Sequence, residues 1–452
     1  MWRSGLAIGQ EQPFMRTLLT GGVVVTCDSD WTAHASGDLV LQDDLVLYAG
    51  PRYDGEYDAR TDVTGRLVMP GLINAHTHTP MTLFRGLADD VDLHVFLQER
   101  IWPREIALTN ADAYAGSVLA ATEMLKAGVT TCVDMYFFED ALVQAAIDTG
   151  IRAVVTPGIL DAPVWQPILG TWEQRTAHVL DFCKRWDGHD GRIHTGVGPH
   201  APYTLPLPAL AEIAAEAQRA GLPLHIHLVE TREERASFAE RGLGGTVYAL
   251  EQAGVLEGPV LAAHCVWLDD GDAAILAQHH AGVAHCPQSN AKLGAGVAPA
   301  AALLATGVQV GLGTDGAAAN NNLDLWEELK LAPMLAKATA LDPTILSARQ
   351  SLAMATRMGA MAIHQPRLGV LAEGYKADVL LLRLDDPAMT PVFDETTYMD
   401  HLVYAAGRSM VDAVWVNGTQ VVRDGMVLTV DEAAVRDAAH RAAIAVSGRV
   451  AG

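Results

Sequence analysis

At 452 residues the chain is too long for one small domain and suits a large domain with a smaller companion. A formal charge of −23 excludes a nucleic-acid partner, because phosphate binding needs concentrated Lys and Arg, and a neutral or zwitterionic small molecule fits better than a polyanion. No apolar run approaches the roughly 18 residues of a membrane span, and the five cysteines form no CxxC pair, so no membrane partner and a reducing, cytoplasmic setting are expected.

Residues 1–14 show no structural period, and Met15 offers an alternative start. Residues 15–68 then alternate apolar and polar positions between Gly and Asp turns (LLTGGVVVTCD, DLVLQDDLVLYAG), which predicts short β-strands. The same texture returns in KADVLLLRL (376–384) and in 410–428, where Asn417-Gly418 between two apolar runs predicts a hairpin. The two ends, 15–68 and 367–430, are therefore expected to pair into one small β-sandwich. A terminal segment, 431–452, carries a helix over about 430–447, with Thr429 and Glu432 as its expected capping box.

Between the ends, residues 69–366 repeat strand, loop and helix. Strand-like runs fall at 67–76, 129–136, 151–159, 193–199, 222–229, 259–265, 281–286 and 308–315, with helical segments such as LPALAEIAAEAQRAG (207–221) between them. Eight βα units over this length predict an α/β fold, a (β/α)₈ TIM-type barrel. A doubly wound open sheet is the alternative, but neither GxGxxG nor a Walker motif is present.

Function in a barrel sits at the C-terminal strand ends. The first run ends in His76-Thr77-His78, whose alternate side chains share a face. Later runs end in Gly198-Pro199-His200, His225-Ile226-His227 followed by Glu230, His264-Cys265, and Thr314-Asp315-Gly316. Titratable groups at five strand ends are poor core material, because each buried polar group needs a partner. Imidazoles with a carboxylate suit Zn²⁺ or another borderline divalent ion, so a metal site is the simplest common explanation.

The segments PGLINAHTH, HIHLVE, AHC and GLGTDG resemble the amidohydrolase superfamily. MTLFRGLADDVDLHVFL, Pro103-Arg104-Glu105, VDMYF, GPHAPYT, SNAKLGAG and GTDGAAANNNLDL are similar, more narrowly, to 5-methylthioadenosine/S-adenosylhomocysteine deaminases of the cytosine/adenine/guanine deaminase and triazine hydrolase branch. The resemblance covers about residues 65–430. It implies that His76, His78, His227 and Asp315 hold one divalent ion, Zn²⁺ or else Fe²⁺. It also implies that Glu230 shuttles protons, that His264 orients the attacking hydroxide, and that Glu105 and His200, with Glu230, contact the substrate. His225, two residues deeper than His227, is expected to be a buried structural histidine.

The implied reaction is hydrolytic deamination of an adenine nucleoside: 5'-methylthioadenosine, adenosine, 5'-deoxyadenosine or S-adenosylhomocysteine. A bound ion brings water towards a pKa of about 7. Glu230 protonates the purine N1, Asp315 accepts a proton from the attacking water, and Glu105 accepts from ribose hydroxyls. Relatives that open cyclic amides on two metals carry a bridging Lys after strand four; here residues 151–225 hold only Lys184, in a helical run, which favours one metal. Relatives also often place Arg between Thr and Gly after strand three, where this chain has Thr156-Pro157-Gly158. Unless Arg152 or Arg175 compensates, a substrate carboxylate loses its bidentate partner, and a neutral or small 5' group is expected. The alternatives are deamination or dechlorination of guanine, a pterin or a triazine, and a barrel used for binding alone. The loop at 81–102 is expected either to cover the site or to pack between subunits of a homo-oligomer.

Overall fold

The computed structural model describes residues 15–451; the expectation for residues 1–14 lies outside them. Each of the eight predicted positions carries a strand: β1 (Leu72–Thr77), β2 (Val129–Asp134), β3 (Arg152–Val155), β4 (Ile193–Thr195), β5 (Leu224–Leu228), β6 (Val260–His264), β7 (Gly282–His285) and β8 (Gln309–Leu312). They form two parallel four-stranded sheets, β1-β2-β3-β4 and β5-β6-β7-β8. Beyond β3 and β4 the chain resumes as Gly158–Ile159 and Gly198–Pro199, which pair with each other. The ladder does not run unbroken around all eight strands. At one seam the sheets meet through a Val197–Leu224 bridge, with the His227 N–H donating to the His200 carbonyl at 3.0 Å. At the other, the Asp315 N–H donates to the His76 carbonyl at 3.0 Å. These strands are almost wholly buried, as expected of parallel strands covered by helices. The helix expected at 207–221 is Leu207–Ala220.

The run expected as one strand at 67–76 is two. Arg66–Pro70 belongs to a different sheet, and β1 begins only after Pro70-Gly71. Pro70 has no N–H to continue a ladder. A Cβ on Gly71 would stand 2.2 Å from the Thr130 side chain, so the chain crosses between layers where only glycine fits.

That other sheet draws on both chain ends, as expected, although it is one nine-stranded sheet where two layers were expected. Arg66–Pro70 pairs with Arg16–Val25 on one side and, antiparallel, with Val379–Arg383 on the other. The sheet curls: the Val46 N–H donates to Tyr375 O at 2.8 Å, bringing the edge strand Leu45–Gly50 to the chain just before Val379. Leu19, Val24, Leu39, Val68, Leu381 and Trp415 fill the curl. The predicted hairpin joins Val411–Val416 to Thr419–Arg423, with Asn417 at φ 52° and Gly418 at φ 77°, the left-handed pair that a type I′ turn requires.

The final helix, Glu432–Ala451, begins differently from the expected capping box. The Asp431 carboxylate accepts the Ala433 and Ala434 N–H groups at 2.9 and 3.2 Å. Thr429 instead donates to Thr149 O, and Glu432 takes Lys126. Among the described residues no helix is long and apolar enough to cross a membrane.

Candidate metal centre and active site

Backbone alternation at the end of β1 sends His76 and His78 towards one point, and β5 and the segment after β8 bring His227 and Asp315 to the same point. Each ring is oriented through its Nδ1. His78 Nδ1 faces Met135 O at 2.5 Å and His227 Nδ1 faces His200 O at 2.7 Å. A carbonyl only accepts, so both Nδ1 atoms carry the proton and both Nε2 atoms present a lone pair. His76 Nδ1 lies 2.9 Å from His225 Nε2, and His225 Nδ1 lies 2.9 Å from Thr156 Oγ1. With His225 donating to Thr156, its Nε2 accepts the His76 Nδ1–H, and His76 Nε2 is left bare. That atom is buried and has no hydrogen-bond partner.

Three lone pairs and a carboxylate thus meet without the protons needed to satisfy one another. His227 Nε2 is 3.3 Å from His78 Nε2, and Asp315 Oδ1 lies 3.2 and 3.5 Å from the Nε2 atoms of His78 and His76. Ligands bound tetrahedrally at about 2.0–2.1 Å are about 3.3–3.4 Å apart, so the set fits a divalent ion. The charges agree. Burial pushes His76 down to about 3 and His227 well below its usual range, leaving neutral rings. Burial works against ionising Asp315, yet His76 and His78 hold its acid well below the usual value. Burial likewise opposes a charged His78, but Asp315 lifts it to about 9. The carboxylate calls for positive charge at this point, and a cation supplies it in place of that proton. Ser289 Oγ donates to Asp315 Oδ2 at 2.6 Å and fixes its other face.

A pocket of about 670 Å³, its open mouth included, lies over this focus. Glu105, His200 and Glu230, expected to contact the substrate, line it, and so does His264, expected to orient the hydroxide. Burial raises Glu230, whose Oε1 stands 4.0 Å from His264 Nε2. His264 Nδ1 is 2.9 Å from Asn290 Oδ1, an acceptor, which leaves its Nε2 free to accept from the pocket. His200, pushed down to about 3 by burial, is neutral and bonds Thr204. Glu105, pushed up to about 7 by burial, ends the short helix Trp102–Glu105. Leu93, Phe96, Leu97 and Trp102, from the 81–102 segment and its edge, supply an apolar wall.

Sequence reasoning missed Thr156, Ser289, Asn290 and Tyr136. Tyr136 lines the pocket with its buried hydroxyl beside the Glu105 carboxyl, and only its place just beyond β2 marks it beforehand. His225, expected to be structural, is buried as expected and also holds a member of the focus. Among the described residues no Lys or Arg lines the pocket. Arg152 is held by Asp378 at 2.8 Å, and Arg175 by Glu139 at 2.9 Å and by Gly158 O at 3.0 Å. Lys184 points to solvent beside Asp181.

The fold and this focus define a class: an α/β protein whose parallel strands converge on a metal-suited centre. The profile of the amidohydrolase family matches residues 67–421. A 5-methylthioadenosine/S-adenosylhomocysteine deaminase of Desulforudis audaxviator is 44% identical over 437 residues, covering 95% of this chain and 98% of that one. A 5'-deoxyadenosine deaminase of Methanosarcina mazei is 41% identical over 434 residues, covering 96% and 99%. Among solved structures, an adenosine deaminase from Xanthomonas campestris with bound zinc superimposes with a TM-score of 0.91 at 31% identity, covering 96% of this chain and 99% of that one. The chain belongs to the amidohydrolase family.

Proposed function

We propose that this chain is a hydrolase that deaminates an adenine nucleoside to its inosine analogue and ammonia. One observation carries the reading: a single pocket joins the His76, His78, His227 and Asp315 focus to the buried acid Glu230, with Glu105 on its wall. Relatives that match nearly the full chain, named for 5-methylthioadenosine/S-adenosylhomocysteine and for 5'-deoxyadenosine, support it. The four residues of the focus hold one divalent ion, zinc or alternatively iron; when bound, it supplies the Lewis acidity that makes hydroxide available near pH 7.

The chain's own groups do the rest. Glu230, whose acid burial raises, delivers a proton to N1 as C6 becomes tetrahedral. His264 Nε2 accepts a hydrogen bond from the attacking water and aims it, while Asp315 takes up the proton that water releases. The C6–O bond forms, Asp315 passes its proton to the amino group, and the new C6 hydroxyl returns one to Glu230 as the C6–N bond breaks and ammonia leaves. Glu105 accepts from ribose hydroxyls, and His200 lines the nucleoside side of the pocket. Because no guanidinium or ammonium among the described residues lines the pocket, a 5' substituent without charge is favoured: methylthioadenosine, adenosine or 5'-deoxyadenosine over S-adenosylhomocysteine. The two half-sheets act as a (β/α)₈ barrel over 69–366. The curled sheet of 15–68 and 367–430 acts as its β-sandwich companion, followed by the helical segment 431–452. Five buried, unpaired thiols fit a cytoplasmic setting.

An ammonia-release assay over these nucleosides, guanine, a pterin and a triazine, run with metal analysis, tests the reading. The expected result is preferred turnover of the nucleosides, and a loss of about 10²–10⁴ in kcat for Glu230→Gln with metal content intact. Turnover of free bases or triazines alone would overturn it. A kcat/KM for S-adenosylhomocysteine at least about tenfold above that for methylthioadenosine would overturn the 5' preference, since a carboxylate needs a cationic partner.

A further inference from the structure

After β5 the chain reads Val229-Glu230-Thr231-Arg232-Glu233-Glu234, and Thr231 with Glu234 three residues on has the form of a capping box for the helix Arg232–Glu240. In such a box the glutamate returns to the N–H of the capping residue. Here the threonine does its part, accepting the Glu234 N–H at 3.2 Å. The Glu234 carboxylate reaches further back: Oε1 accepts the Val229 N–H at 2.8 Å, and Oε2 accepts the Glu230 N–H at 3.2 Å. Val229 has φ 43°, a left-handed conformation that a β-branched residue adopts only when its surroundings enforce it. Glu234 is buried, and among the described residues its carboxyl bonds only to the Val229 and Glu230 N–H groups. Burial pushes its acid up to about 8, against the Val229 and Glu230 N–H groups, which favour the carboxylate. A buried carboxylate whose bonds go to a strained backbone turn is costly to keep, and the side chain which that turn aims is Glu230.

We propose that Glu234 is a positioning residue for Glu230: its two oxygens lock the Val229–Glu230 turn and hold the Glu230 carboxyl facing the pocket. The inference rests on Glu230 being the proton donor. A helix cap alone would need neither bond, because Thr231 already serves the helix.

The test compares Glu234→Gln, which keeps the volume but only one acceptor oxygen, with Thr231→Ala, which removes the cap and leaves Glu234 in place. Steady-state kinetics on the best nucleoside, metal content and thermal midpoint are measured for each. Glu234→Gln is expected to lower kcat by about tenfold to a hundredfold, the scale of a small misplacement of a reacting group. KM should stay within about threefold and metal content should be unchanged. Thr231→Ala should lose stability while keeping kcat within about twofold. In a Glu230→Gln background, Glu234→Gln should cost almost nothing more, since the group it positions is gone. Should Glu234→Gln not fold, Val229→Gly/Glu234→Gln replaces it, because glycine takes the positive φ without strain. An unchanged kcat, or an undiminished loss in the Glu230→Gln background, overturns the proposal. A wild-type protein inert towards every nucleoside overturns the underlying reading instead.

Discussion

Each histidine at the focus is oriented by its own partner. Main-chain oxygens of Met135 and His200 serve His78 and His227, and no side-chain substitution removes them. His76 depends on the side chain of His225, which Thr156 orients in turn. His225→Leu is therefore expected to leave the His76 Nδ1–H unpaired and its ring free to turn. Metal affinity, measured by competition with a chelator, should fall about 10- to 100-fold, and Thr156→Val should fall less. An affinity within threefold of wild type would show that His225 does no more than fill space. This also explains what could be read in advance at this scale. His76 and His78 are two apart on a strand, and the alternation of side chains makes that spacing informative. Thr156, Ser289 and Asn290 act through contacts between distant parts of the chain, and a carbonyl acceptor leaves no mark in a sequence.

Helix ends carry the same lesson for elements. The helix Glu139–Thr149 starts from Phe138 at φ 65° with no side-chain cap, because Glu139 is engaged by Arg175 of the neighbouring helix Trp172–Trp186. Burial would raise the Glu139 acid, but the Arg175 guanidinium outweighs it and holds the carboxyl below its ordinary value. A carboxyl with a lowered folded-state pKa contributes stability above its unfolded pKa, and that contribution is lost as pH falls through the folded value. Glu139→Gln should thus be less stable than wild type at pH 7, by about 3 kcal/mol for a broken buried pair. The gap should begin to narrow as pH falls below the ordinary glutamate value of about 4.3 and close only below the lower folded value, as urea midpoints taken from pH 7 down through that range would register. A gap that stays constant across that range would rule the pair out as its source. Periodicity located the helix Leu207–Ala220 and the Asn417-Gly418 hairpin, because both depend on local spacing. It misjudged 67–76, where two apolar strands abut without a polar break, and the cap at Thr429, whose hydroxyl is taken by Thr149 from a distant helix.

For the molecule as a whole, one buried pair ties the two bodies together. Arg152 on β3 meets Asp378 beside the curled sheet through two bonds of 2.8 Å, and it also donates to Asn417 Oδ1 in the hairpin at 2.9 Å. Arg152 is 1% exposed and Asp378 4%, so removing one partner strands the other's charge in the interior. Arg152→Met or Asp378→Asn alone is expected to cost about 3–5 kcal/mol in urea unfolding, and the double change less than the sum. Strictly additive losses would mean the two do not act as a pair. Pattern reading anticipated that the chain ends would pair. The bond that fixes them to the parallel sheet was not legible, because Arg152 was weighed only as a pocket residue.

The sheet assembled from both ends also sets an order of events during synthesis. Residues 16–70 leave the ribosome long before residues 379–427, their neighbours in the sheet, have been translated. Until then Arg66–Pro70, with its apolar Leu67, Val68 and Met69, offers an open edge, the kind of surface on which nascent chains aggregate or recruit chaperones. Only one glycine separates that edge from the strand bearing His76 and His78, so a stretch translated much later closes the edge beside them.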